Sequence, residues 1–206
     1  HLEFLNGVGV GGGNAAAKAM AQCIKERTGK VAGKVAFITA MAGHESLDSR
    51  DKGFKDGVAA FPDLKLIGNR VANNEEAEGT SLTADMLTKD ADLVGIFADN
   101  AQMGTGAGAS ISEKKLGGKL CLVAFDADKG EVEHLNDGSI YALILQDPFM
   151  MGYAGVFNGY AASKGVRLPK NVDTGVGAVT KANMADPKYA GLMDPSKYKT
   201  APFTGN

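Results

Sequence analysis

The chain has 206 residues, with 22 basic and 24 acidic side chains and a formal net charge of -2. That length suits one substantial domain, or one domain with an appendage, and the near-balanced charge offers no basic face of the kind nucleic acid requires, so no nucleic acid is expected as a partner. No apolar run approaches the roughly 20 residues needed to span a bilayer.

The first residues, from His1, lack the basic, apolar and small-residue layout of a signal peptide, which reads as a mature form, a fragment or a cytoplasmic protein. A glycine-rich stretch follows. Its Gly7-x-Gly9-x-x-Gly12 spacing matches a dinucleotide fingerprint ahead of a helix. The fingerprint also needs an acid at the end of the next strand to hold a ribose, and that strand ends in Thr39, Ala40 and Met41. The stretch therefore reads as a flexible chain crossing, because glycine lets a hinge absorb backbone rotation. Residues 12–27 are alanine-rich and predict a helix. Cys23 lies in it; with Cys121 it makes up the whole cysteine content, and two buried thiols are expected rather than a disulfide.

Beyond residue 30, short apolar runs alternate with longer amphipathic stretches. Val35–Thr39, Leu64–Ile67, Leu93–Phe97, Leu120–Phe125 and Ile140–Leu145 predict strands, and the first four start about 27–29 residues apart, close to one strand–helix–strand unit. Phe54, Val58 and Phe61 recur at helical spacing, as do Leu82 and Met86. Met150, Met151, Ala154, Phe157 and Ala161 mark a further helix, and Val172–Thr180 predicts a last strand before a polar tail with Pro187, Pro195 and Pro202. Alternation of this kind predicts an α/β fold, a doubly wound, mostly parallel sheet with helices on both faces.

In such sheets ligands bind beyond the carboxyl ends of the strands. Arg50 opens the helix after the first strand and its loop; Asn69, Asn73 and Asn74 follow the second, Asp99 and Asn100 the third, Asp126 the fourth, and Gln146 with Asp147 the fifth. One arginine, a few carboxylates and several amides suit a neutral polyhydroxylated ligand, whose hydroxyls both donate and accept hydrogen bonds. Asn and Asp after strands also serve as turn formers and helix N-caps; Asp126 is a candidate cap for the helix near 128–136, and Asn100 for the helix that follows it. His44, in the loop before Arg50, reads as a solvated side chain. No nucleophile–base order, carboxylate pair or metal-ligand spacing stands out, so neither catalysis nor a cofactor nor a metal is expected.

These residues carry a resemblance. Gly33–Ile38 with Ser49–Phe54, Ala91–Asn100, Leu122–Asp126 and Gly138–Tyr153 resemble, in order and spacing, the second lobe of ribose-type sugar-binding proteins of ABC uptake transporters. The last of them is similar to the pattern G-x-x-x-A-T-I-x-Q-D-P-x-x-M-G-Y. The likeness runs from about Phe4 to Thr180. It implies one lobe of a type I periplasmic-binding fold over residues 1–180 with hinge segments, then a C-terminal surface tail over 181–206. It implies non-catalytic binding of a monosaccharide or polyol in the periplasm, with Arg50, Asn74, Asn100, Asp126 and Gln146 on the sugar hydroxyls and an ABC permease in the membrane as partner.

The sequence departs from the pattern in three places. An Asn-Asp pair of the family is Asn100-Ala101 here, and an acidic–amide pair at the hinge reads Gly7-Val8-Gly9. The family also has roughly a hundred residues ahead of Phe4, one further lobe's worth, and that first lobe is missing. Helix 148–164 packs in it, so this helix is expected to expose an apolar face and favour a homodimer or a domain swap. The alternatives share the fold class: an effector-binding domain of a LacI-type transcription regulator, which would carry a basic helix-turn-helix, and an NAD-dependent enzyme, which would need the ribose acid.

Overall fold

Residues 7–169 and 172–197 are described by a computed structural model; Phe4, where the family likeness begins, and the tail from residue 198, with Pro202, lie outside them. Along the chain the elements are α1 (Gly7–Thr28), β1 (Gly33–Thr39), α2 (Glu45–Ala59), β2 (Leu64–Val71), α3 (Glu76–Lys89), β3 (Leu93–Ala98) and α4 (Ala101–Glu113). There follow β4 (Cys121–Phe125), α5 (Lys129–Asp137), β5 (Ala142–Leu145), α6 (Pro148–Ser163), β6 (Gly177–Thr180) and α7 (Pro187–Met193). The five strands expected up to Leu145 are all present.

The central strands β3, β4 and β5 are apolar on both sides because both faces of the sheet are covered there, whereas every second residue of the edge strand β2 is exposed. The strands line up in the order β2-β1-β3-β4-β5-β6, parallel from β2 to β5, with β6 antiparallel on β5. Alternate side chains feed two cores. Val35, Phe37, Phe97, Val123 and Phe125 pack with α1 and α2; Ile38, Ile96, Leu122 and Leu143 pack with α3, α4 and α5. This is the doubly wound layout read from the sequence. Among the described residues no helix is long and apolar enough to cross a membrane.

Two expectations fail on the α1 side. The glycine-rich stretch is no flexible crossing: α1 begins at Gly7 and runs through it. Glycine costs about 1 kcal/mol per residue in a helix interior, but here its lack of a β-carbon lets two helices touch at main-chain distance. A β-carbon on Gly13 would overlap the carbonyl oxygen of Arg50 and the amide of Phe54, and one on Gly53 would overlap the carbonyl of Val10. Gly12 lies against the ring of Phe125. The fingerprint glycines thus form no phosphate-binding turn. The seam between α1 and α2, the helix that carries Arg50, is made by Gly9 and Gly13 on one side and Gly53 on the other.

The second failure is Cys23 and Cys121. Both are buried, as expected, but they form a disulfide, with Cα atoms 5.9 Å apart, that ties α1 to β4 across 98 residues of chain. Helical periodicity shows that Cys23 faces inward. It does not show which strand lies beneath it, and the pairing follows from the order of strands in the sheet.

At the far end, Val172–Thr180 forms a strand only over β6, since Gly175 turns the chain at φ 76°. Residues 181–197 continue into α7, whose Tyr189, Leu192 and Met193 pack on the core of the α3–α5 side. In contrast, α6 holds no buried residue; Val156, Phe157 and Tyr160 are strongly exposed.

Two outcomes follow. Replacing both cysteines by alanine is expected to lower unfolding stability by about 2–5 kcal/mol, because a loop of this length is released in the unfolded chain; urea titration of the two forms measures it. Gly13→Ala is expected to cost about 1–3 kcal/mol through overpacking of the seam, read by the same titration.

Candidate functional site

All five site residues inferred from the sequence sit at the carboxyl edge of the sheet, in two bonded groups. The first centres on Arg50. The seam with α1 presses α2 onto the sheet, so the Arg50 side chain is almost wholly buried. Its guanidinium lies 3.8 Å from the centre of the Phe125 ring, and Nη1 donates to the main-chain oxygen of Asp99 at 2.7 Å. The same Nη1 is 3.9 Å from Asp126 Oδ2. Burial pushes the Arg50 pKa down, and the nearby Asp126 and then Asp99 oppose that shift; a guanidinium keeps its charge throughout the neutral range.

Asp126 follows β4 directly and adopts φ 80°, a conformation rare for a residue with a side chain. Its amide is held by the carbonyl of Ile144 at 2.9 Å. Gln146, just past β5, donates from Nε2 to Asp126 Oδ1 at 2.6 Å. Arg50, Asp126 and Gln146 therefore form a line of donor, acceptor and donor, with Asp126 and Gln146 partly open to solvent. Asp126 caps no helix. Asp128 does, through a capping box with Glu131.

The second group is Asn74 and Asn100. Asn100 Nδ2 donates to Asn74 Oδ1 at 2.6 Å and to Gln102 Oε1 at 3.0 Å. Its Oδ1 accepts from the Met103 amide at 3.0 Å and so caps α4, the second role read from its position. Asn74 also sits at positive φ, 63°. Asn69 lies within β2, and Asn73 is tied to Glu78 by its amide at 2.7 Å and its side chain at 3.1 Å. Of the three asparagines after the second strand, Asn74 is the one that reaches Asn100. His44 is exposed and bonded to Ser46 at 3.1 Å.

Beneath this edge lie three buried acids, of which the sequence reading named Asp99 as a strand-end residue and left out Asp51 and Glu131. Asp99 is fully buried, with Oδ1 accepting from the Ala40 amide at 2.9 Å. Asp51 is buried and accepts from the Thr39 hydroxyl at 2.5 Å. Burial pushes Asp99 up to about 7, with the neighbouring Asp51 adding to it, and burial pushes Asp51 up to about 6 against the Thr39 hydroxyl. Burial also raises Glu131 well above the ordinary carboxyl range. Asp51 was findable: Leu47, Asp51, Phe54 and Val58 share the buried stripe of α2, and a charge on that stripe is a signal. Glu131 stands at the fourth place of a D-x-x-E capping box. Asp99 has no such marker, since an acid after a strand reads as a turn. Among the described residues no group of three His, Cys, Asp or Glu side chains is arranged to hold a metal.

The raised acids set a pH dependence. An acid whose pKa is higher folded than unfolded binds more protons when folded, so stability falls as pH rises from the unfolded value, about 4, to the folded one. For Asp51 that window closes near pH 6 and for Asp99 near pH 7. The Asp51→Asn, Asp99→Asn double variant is therefore expected to lose less stability between pH 4.5 and 7.5 than the parent, as measured by urea midpoints at several pH values.

A model of the periplasmic binding protein domain matches residues 9–166. The ribose import binding protein of Haemophilus influenzae is 27% identical over 139 residues, which are 68% of this chain and 47% of that protein. Its counterpart in Escherichia coli is 28% identical over 137 residues, 66% of this chain and 45% of that protein. A solved carbohydrate transporter solute-binding protein from Agrobacterium radiobacter, in complex with D-arabinose, superposes with a TM-score of 0.87 at 40% identity, covering 90% of this chain and 63% of its own. An ABC transporter solute-binding protein from Agrobacterium vitis, bound with α-D-tagatopyranose, gives a TM-score of 0.83 at 30% identity, covering 90% and 60%. The chain spans about half the length of the curated relatives it matches.

Proposed function

The chain belongs to the periplasmic binding protein domain family, and on that premise we propose that it is the second lobe and hinge of a solute-binding protein that captures a monosaccharide or polyol for an ABC permease, without catalysis. The observation that carries this reading is the interlocked edge of Arg50, Asp126 and Gln146 beside Asn74 and Asn100. A sugar offers hydroxyls that donate and accept at fixed spacing. Arg50 offers donors only, Asp126 acceptors only, and the three amides both. In the unliganded edge these groups satisfy one another, so they lose little by exchanging a neighbour for a hydroxyl.

The exposed α6 packs, on this reading, in another lobe, and the sugar is enclosed when the two lobes close about the hinge. Closure needs a ligand that binds the closed form better, and an edge contacting several hydroxyls at once supplies that difference. The disulfide between Cys23 and Cys121 supports a periplasmic setting, since such bonds persist in oxidising compartments. It also favours an exported binding protein over a DNA-bound regulator of the same fold.

The test is a thermal-shift screen of the two-lobed protein against pentoses, hexoses and polyols. A clear rise in melting temperature with at least one of them is expected; none with any would contradict the proposal. For the sugar that binds, Arg50→Ala is expected to raise Kd about 10–100-fold, the range for losing a charged hydrogen-bonding partner, as titration calorimetry would show. The present chain by itself is expected to dimerise or swap through α6, giving about twice the monomer mass in light scattering; a monomer would contradict that part.

A further inference from the structure

Behind the two asparagines runs a closed circuit of hydrogen bonds. Asp99 Oδ1 accepts from the Ala40 amide at 2.9 Å. The Ala40 carbonyl accepts from the Asn74 amide at 3.0 Å. Asn74 Oδ1 accepts from Asn100 Nδ2 at 2.6 Å, and Asn100 is the next residue after Asp99. The same Asp99 binds Arg50 through its main-chain oxygen at 2.7 Å, and its amide donates to Ile38 at 3.2 Å. One fully buried residue thus touches the end of β1, the base of the Arg50 guanidinium and the bond leading to Asn100.

We propose that Asp99 is a positioning residue for the ligand edge: its carboxyl holds the Ala40 peptide that in turn fixes Asn74, and so sets the spacing of Asn74 and Asn100 beside Arg50. The proposal rests on the sugar-binding reading of that edge. Asn74 sits in the left-handed region at φ 63°, which asparagine tolerates better than most residues, and its bond to the Ala40 carbonyl fixes it there. An unbraced Asn74 is free to relax, and its Oδ1 then leaves Asn100.

The second oxygen of Asp99 is buried and bonds to no other side chain or main-chain group among the described residues. The charged and titratable groups facing it are Arg50 and Asp51 from α2, with Asp126 beyond β4 and Glu131 on α5 gathered around the same guanidinium. From β1 and the residue that follows it, Asp99 meets the main chain of Ile38 and Ala40. Burial, and then the neighbouring Asp51, leave the Asp99 proton in place at mildly acidic pH against the pull of the Ala40 amide and Arg50, with release near pH 7. Release turns the bond to the Ala40 amide into a charge-assisted one, so the circuit carries a mark of the Asp99 charge that a structural filler would not.

Two measurements test this. In the first, the present chain is labelled with nitrogen-15, and the Ala40 amide and the side-chain amides of Asn74 and Asn100 are followed from pH 5 to 8.5. In the parent these signals are expected to shift together, with their main midpoint near 7 and a smaller step from Asp51 near 6. In Asp99→Asn, which keeps an acceptor for Ala40, they should stay near the parent positions and lose the step near 7. In Asp99→Ala the two asparagine signals should move toward those of free amides. In the second, sugar binding by the two-lobed protein is titrated: Asp99→Asn should bind within about threefold of the parent, and Asp99→Ala at least about tenfold more weakly, the loss from one charge-assisted bond.

Parent signals that stay still across the titration overturn the proposal, and they decide it alone if Asp99→Ala does not fold. An Asp99→Ala protein that binds sugar like the parent also overturns it, and leaves the sugar reading standing. A parent that binds no sugar while the three amides still follow Asp99 has the opposite meaning: the circuit holds and the sugar reading falls.

Discussion

A guanidinium buried against an aromatic ring is the constraint from which the arrangement at the strand ends follows. Arg50 lies 3.8 Å from the Phe125 ring and is bonded to the Asp99 main chain. A charge removed from water must be paired and hydrogen-bonded or it destabilises the fold. Asp126 supplies the charge, and Gln146 fixes Asp126 in turn. The flat stack on Phe125 removes the freedom that a long side chain would have at a surface. What results is a fixed donor aimed at the strand ends, held before any ligand arrives.

The rest of the α1 side exists to hold that placement. α2 sits close to the sheet because Gly13 and Gly53 remove the β-carbons that would keep α1 and α2 apart. Phe54, one turn from Arg50, stacks on Phe97 at 4.6 Å between ring centres and fills the space beneath. The disulfide ties α1 to β4, the strand that ends in Phe125 and leads to Asp126. The same few contacts thus position the helix that brings the arginine and the strand that brings its partner.

Much of this was legible in the sequence. Strand ends are marked by a switch from apolar to polar residues, and in a parallel sheet all those ends fall on one edge, so Arg50, Asn74, Asn100, Asp126 and Gln146 were named there among other polar residues, and the family resemblance picked out those five. What was not legible depends on contacts between distant elements. The glycines before Asn14 read as a flexible crossing because local propensity disfavours helix there, and only the approach of α2 reverses that preference. The pairing of Cys23 with Cys121 depends on which strand lies under α1. Asp99 read as one more strand-end residue beside Asn100, since nothing local shows that its side chain reaches back to Ala40 at the end of a different strand. The pairings within the edge, Asn74 with Asn100 and Asp126 with Gln146, likewise depend on the strand orders β2-β1-β3 and β4-β5.

The central claim is that this edge holds a sugar, and a crystal structure of the two-lobed protein with a bound monosaccharide tests it most directly. The account predicts sugar hydroxyls within hydrogen-bond distance of the Arg50 guanidinium and the Asp126 carboxylate, with Asn74, Asn100 and Gln146 completing the set and Arg50 still stacked on Phe125. A sugar seated elsewhere, with Arg50 and Asp126 bonded only to their present partners, would contradict it.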